Sequence, residues 1–338
     1  MNPVVLYSLI SLGGLGFVLG SMLAFASKRF SVEVNPLVEK VINILPGANC
    51  GGCGYAGCAV YAESVAQHGA STTLCSPGGP EVIQKISKLL GIEQTSVVRK
   101  VAFLHCAGSK DTAKDKYVYD GVANCRMAIS LGGGHKACEY GCLGFGDCAA
   151  VCKFDALHMD ENGLPVVDYG KCTACGACVR ICPIHLFTLE PDTTIIYLTC
   201  SSLDRGKAVK DVCSVGCIGC GICVKVTGGD AMEMKDNLPF IDYNKSPNLI
   251  LAHYKCPTNS YIDRALKRPY MSIDTKCKGH GKCAEVCPVK DCISGEAGKP
   301  HSIDPKKCIG CGLCLGVCPE KAIHVIGAMG YVGMDMNT

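Results

Sequence analysis

Cysteine is the residue type in this sequence best placed to do chemistry, and its spacing says which chemistry. The 338 residues include 28 cysteines and no tryptophan. Runs such as Cys172-x2-Cys175-x2-Cys178-x3-Cys182 and Cys308-x2-Cys311-x2-Cys314-x3-Cys318 bring four thiolates toward inorganic centres. This is the pattern of a two-cluster bacterial ferredoxin, in which the fourth cysteine of each run serves the other run's cluster. A disulfide framework would use irregular gaps in a short secreted chain. With a net charge of +3, the chain has no basic footprint for nucleic acid, and no such partner is expected.

The crossed-ligand rule assigns most of the cysteines. Near the N-terminus, Cys50, Cys53 and Cys58 with Cys75 form one set in the glycine-rich stretch LPGANCGGCGYAGC. Its glycines leave backbone amides free to face sulfides. Structural zinc would more typically use two two-cysteine knuckles. In the first repeat, Cys172, Cys175 and Cys178 take Cys152. Phe145 stands at the second ligand position of the other run, so Cys142, Cys148 and Cys182 take the extra Cys138. The last repeat pairs Cys308, Cys311 and Cys314 with Cys287. Its other set is Cys277, Cys283 and Cys318 with Cys292, or with His280, whose imidazole would raise the potential.

The middle repeat keeps one set, Cys217, Cys220, Cys223 and Cys256. Thr227, Ser246, Leu249 and Ala252 occupy the places where a second set would have been. Cys213 precedes Cys217 by the gap that separates Cys138 from Cys142, which makes it an alternative to Cys220. Offsets between first and second runs, Cys142 to Cys172, Cys217 to Ser246 and Cys277 to Cys308, are nearly equal, as a tandem repeat requires. The expected cofactors are about six [4Fe–4S] clusters. Cys106, Cys125, Cys200 and Cys213 are left over and read as structural thiols. The segments VAFLHC and IIYLTC are alike and end in Cys106 and Cys200, which suggests a longer duplicated unit.

These ligands need elements to hold them. Residues 1–27 are expected to be a single transmembrane anchor, because Val4 to Ala26 carries no charge and Lys28 and Arg29 follow it. No basic segment precedes the run, unlike a signal peptide, and the basic flank puts the bulk of the protein in the cytoplasm. Gly16 and Gly20 form a small-xxx-small pair suited to packing on another membrane helix. A linker at 28–38 leads to a small helical [4Fe–4S] domain at 39–95, where apolar periodicity predicts helices over AVYAESVAQHG and PEVIQKISKLLG. Three ferredoxin-like modules are expected at 96–190, 191–262 and 263–338. Segments such as DALHMDENGLPVVDYGKC and DAMEMKDNLPFIDYNKS predict short hairpins between ligand loops. The fold class is α+β.

No nucleotide motif accompanies the cysteines: LGGGHK lacks the strand-to-helix setting of a phosphate loop, so no NAD or flavin site is expected. One-electron centres without a substrate pocket relay electrons between partners. The anchor, LPGANCGGCGYAGC, LCSPGG, YDGVANCRMA, LGGGHKACEYGCLGFGDC and GCIGCGIC together resemble the B-type subunit of the Rnf complex, a membrane-bound ferredoxin:NAD oxidoreductase of bacteria. The resemblance implies electrons from reduced ferredoxin, transfer to membrane partners, and coupling to sodium or proton translocation. The chain would then be one component of a translocase. Electron input at the last repeat and output at the cluster nearest the anchor follow from module order. Arg264, Lys267, Arg268, Lys276, Lys278 and Lys282 could steer an acidic ferredoxin. Rival readings are the iron–sulfur component of a formate dehydrogenase or hydrogenase, and a cluster storage or assembly scaffold.

Overall fold

In lipid a chain must satisfy its own backbone polar groups, so an uncharged apolar run folds as helix. The computed structural model describes residues 3–30, 35–93, 98–228, 230–245, 249–327 and 330–331. Pro3–Arg29 is one helix. Its stretch Ser11–Arg29 is long and apolar enough to cross a membrane. Leu12, Phe17, Met22 and Phe25 on it are all exposed.

Three short helices follow, Pro36–Ile44, Cys58–His68 and Gly79–Leu90. Asn35 caps the first by accepting from the Leu37 amide at 2.9 Å. The other two end at Gly69 and Gly91 in left-handed conformation. Val41, Tyr61, Ala62 and Ile86 close a small core against Cys75.

Beyond residue 98 one order of elements occurs three times. An outer antiparallel pair brackets an inner hairpin: Lys100–Leu104 with Phe187–Pro191 around Leu157–Met159 and Pro165–Val167. Ile196–Leu198 with Tyr261–Asp263 brackets Met232–Lys235 and Leu238–Ile241. Tyr270–Ile273 with Ile323–Ile326 brackets Ile293–Ser294 and Ser302–Ile303. Among the described residues every sheet has two strands. Such sheets are marginal alone in water.

The first two copies share a core. Phe103 stacks on Tyr197 at 4.3 Å between ring centroids, with Tyr243, Leu249 and Ala252 in the same cluster. Arg264 is 3% exposed, bonds the Asp192 carboxylate at 2.9 Å and lies 3.7 Å over the Tyr169 ring. Arg99 reaches the same carboxylate at 2.8 Å. Asp192 thus faces two guanidinium groups, which is the kind of pairing a buried charge requires.

Candidate metal centres

The ligand loops share one device. Gly146, Gly176, Gly221, Gly281 and Gly312 are left-handed, and each opens a helix of four to six residues. The second residue of each helix is a buried cysteine: Cys148, Cys178, Cys223, Cys283 and Cys314. A side chain at φ near +75° is strained, so glycine makes the turn that aims the following cysteine inward. A second device serves the last cysteine of four runs. The sulfurs of Cys152, Cys182, Cys256 and Cys318 each accept an amide four residues on, from Ala156, Leu186, Ser260 and Ala322, all at 3.4 Å. Such donors stabilise thiolate and tune a cluster's potential.

Four of the expected sets come together. Cys75 is raised first by burial and then by the charges of Cys58, Cys53 and Cys50. Cys152, Cys172, Cys175 and Cys178 line one cavity. Cys217 is pushed up to about 12 by burial, with Cys223 and Cys256 among its charged neighbours. Cys220, the exposed member, acts on Cys223. Cys311 is raised by burial, Cys287 and Cys308, and Cys314 to about 11 by burial, Cys311 and Cys308. Four neighbouring thiols would be the donor set of a [4Fe–4S] cluster, and loading one would expel the protons that burial holds on bare thiols.

Two expected sets gather three cysteines and a different neighbour. Cys277, Cys283 and Cys318 line a cavity with His280 and His301. Cys292 is buried and stands beside Cys287 and Cys308, whose charges follow burial in pushing it up to about 12. The hairpin register explains this position. The carbonyl of Cys292 accepts the Asp304 amide at 2.8 Å, as that of Ala156 accepts Asp168 in the first copy. Ala156 lines the cavity of Cys152 and Cys172, so its counterpart faces Cys287 and Cys308. In the first repeat, Cys148 is pushed up to about 12 by burial, then by Cys125 and Cys182. Cys138 lines another cavity, together with Cys106, Cys200 and Cys213. Sequence reasoning passed over Cys125 because it belongs to no run; its amide is held by the Asp147 carboxylate at 3.1 Å.

Where the middle repeat lacks ligands, apolar side chains fill the space: Leu249 is 3% and Ala252 0% exposed. The Thr227 hydroxyl is buried with no hydrogen-bond partner. Ser246 lies outside the described residues.

The thiol sets also approach one another. The guanidinium of Arg180 donates to the carbonyls of Cys175 at 3.1 Å and Cys50 at 3.3 Å. This joins the helical domain to the first repeat.

Family models match three stretches of the chain. Residues 45–77 match the FeS family, described as an Fe-S cluster, and residues 165–187 and 301–324 match Fer4, the 4Fe-4S binding domain. The B-type subunit of the ion-translocating oxidoreductase complex of Methanosarcina acetivorans is 44% identical over 72% of this chain and 93% of its own. Its counterpart in the Na(+)-translocating ferredoxin:NAD(+) oxidoreductase complex of Acetobacterium woodii is 41% identical over 73% of this chain and 74% of its own. The counterpart in the proton-translocating complex of Clostridium ljungdahlii is 40% identical over 77% and 92%. With thiol sets of ferredoxin type behind an apolar helix and relatives matched over most of their length, the chain belongs to the family of B-type subunits of the Rnf complex.

Proposed function

We propose that the chain is a membrane-anchored iron–sulfur relay, taking single electrons from reduced ferredoxin and passing them to membrane subunits of an ion-pumping ferredoxin:NAD oxidoreductase. The observation that carries this reading is contiguity, with Cys50 and Cys175 of successive thiol sets held by one arginine. Centres held by neighbouring thiol sets would hand on electrons without a substrate pocket. About six clusters are held by the sets assigned above. Lys28 and Arg29 keep the bulk on the cytoplasmic side.

Ferredoxin docks at the last repeat. Lys276 and Lys282 are exposed beside the cavity of Cys277 and Cys283, whereas Lys278 is partly neutralised by Glu320 at 3.1 Å. Steering charges of this kind act on the association rate and fade with salt.

Anaerobic stopped-flow mixing with reduced ferredoxin tests the proposal. Bleaching of cluster absorbance is expected, slowed several-fold at low salt and with a flatter salt dependence in the Lys276→Glu, Lys282→Glu variant. A protein that takes no electrons from ferredoxin, or that gives up its iron to an apo-acceptor during redox cycling, would overturn it.

A further inference from the structure

Three of the four cysteines that the ferredoxin template leaves over, Cys106, Cys200 and Cys213, are not scattered. Cys106 and Cys200 close the alike segments VAFLHC and IIYLTC. The chain holds those ends side by side: the Ala107 amide donates to the Thr199 carbonyl at 3.0 Å, and the Ser201 hydroxyl to the His105 carbonyl at 2.9 Å. A second pair comes from a motif that occurs twice, C-x2-G-C, at Cys138 to Cys142 and at Cys213 to Cys217. Residues 112–116 run between the two copies. Ala113 bridges to Cys213, and Asp115 bridges to Lys136. The amides of Ser214 and Ala137 donate to the carbonyls of Thr112 and Lys114 at 2.8 Å each.

The result is one cavity lined by Cys106, Cys138, Cys200 and Cys213. Its empty volume, open solvent included, is about 430 Å³, against about 350 Å³ for the cavity of Cys172, Cys175 and Cys178. A carbon added at Gly108 would stand 3.6 Å from both the Cys106 and the Cys213 sulfur, so these thiols face each other across a glycine. Two sulfurs already accept amides, Cys106 from Cys142 at 3.3 Å and Cys200 from Cys217 at 3.2 Å. Lys136 lines the same cavity at 6% exposure, its ammonium 3.2 Å from Asp115. Asp115 partly neutralises that ammonium, and the rest of its charge would offset that of a thiolate-bound cluster. Cys138 is pushed up to about 11, first by burial and then by Cys106, Cys200 and Cys213.

We propose that Cys106, Cys138, Cys200 and Cys213 bind a further [4Fe–4S] cluster, two ligands coming from each half of the duplication, and that Cys125, whose amide donates to the carboxylate of Asp147 next to Cys148 at 3.1 Å, is the fourth ligand beside Cys142, Cys148 and Cys182. The site rests on the iron–sulfur reading above and extends it by one centre. Its position gives it a task. The amides that reach its sulfurs belong to Cys142 and Cys217, ligands of the clusters on either side. The centre therefore joins the first repeat to the middle one, where a cluster place has been lost. One electron arrives and one leaves, and no bond is made or broken.

Iron and acid-labile sulfide counts on the anaerobically purified full chain, with alanine variants, test the assignment. The parent is expected to hold about 28 irons rather than about 24. Cys106→Ala and Cys200→Ala should each lose about four irons, and their double variant no more than either. Cys138→Ala combined with Cys142→Ala should lose about eight, whereas Cys125→Ala combined with Cys142→Ala should lose about four. A parent count near 24, or a Cys138, Cys142 double variant that loses no more than one single, overturns the inference and leaves the relay reading intact. The parent count needs no variant to fold. A chain with no acid-labile sulfide would overturn both.

Discussion

Gly52 packs against the backbone of Cys175 so closely that a β-carbon on it would stand 2.8 Å from the Cys175 carbonyl oxygen. This is where the centre nearest the anchor meets the first repeat. Backbone cannot yield as a flexible side-chain tip can, so Gly52→Ala must push the two centres apart. Overpacking of this kind costs about 1–3 kcal/mol. The expected outcome is unchanged iron content with slower reduction of the Cys50 centre, read by freeze-quench EPR. Equal rates in both proteins would show that electrons leave by another route.

Cys256 sits at the C-terminal end of the helix Ile250–Lys255, and its sulfur already accepts the Ser260 amide. Cys256→Ala is expected to remove one cluster, about four irons. Ser246→Cys should add none, because the other places of that lost set are Thr227, Leu249 and Ala252. Leu249→Ala, which empties a buried apolar site, should lower stability by about 2–5 kcal/mol in denaturant titrations while iron stays constant.

His280 and Cys292 separate cleanly in space. His280 lines the cavity of Cys277, Cys283 and Cys318, its Nε2 3.8 Å from the Glu320 carboxylate, whereas the Cys292 thiol stands beside Cys287 and Cys308. His280→Ala is expected to lose a cluster and Cys292→Ala to keep full iron, while His280→Cys should keep the cluster and lower its potential, since thiolate is the more electron-donating ligand. Iron counts and a redox titration followed by EPR decide it. Loss of iron in Cys292→Ala with full iron in His280→Ala would reverse the assignment.

Removing the clusters should unfold much of the protein. The repeats consist of two-stranded sheets and helices of four to six residues, with cysteines forming part of each core. Such elements lack enough apolar burial to persist without a metal staple. Oxidation with a chelator is expected to abolish near-ultraviolet circular dichroism in step with iron release, while the far-ultraviolet signal of the Pro3–Arg29 helix in detergent remains. A native-like spectrum after complete iron loss would contradict this.

Much of the fold is legible in local sequence because the controlling interactions are local. Gly176 before Ala177 and Cys178 makes its turn within a few residues, and the hairpin Leu157–Met159 with Pro165–Val167 closes over a short loop. Apolar run length alone marks the anchor helix. The helix-ending glycines 69 and 91 act through their own backbone angles.

Residue spacing by itself marks the cysteine runs, their near-equal offsets, the absence of cysteine at Thr227, Ser246, Leu249 and Ala252, and the apolar helix that precedes them. Only the tertiary structure decided which thiols outside the runs share a cavity. Cys106 and Cys200 are far apart in the chain, and they meet because the two alike segments lie side by side. Cys138 has the spacing to serve Cys142, yet residues 112–116 draw it toward Cys213. Cys292 follows its run closely, yet hairpin register turns it to the other centre. Spacing limits how far a ligand can reach, whereas strand register and packing set the direction in which it points.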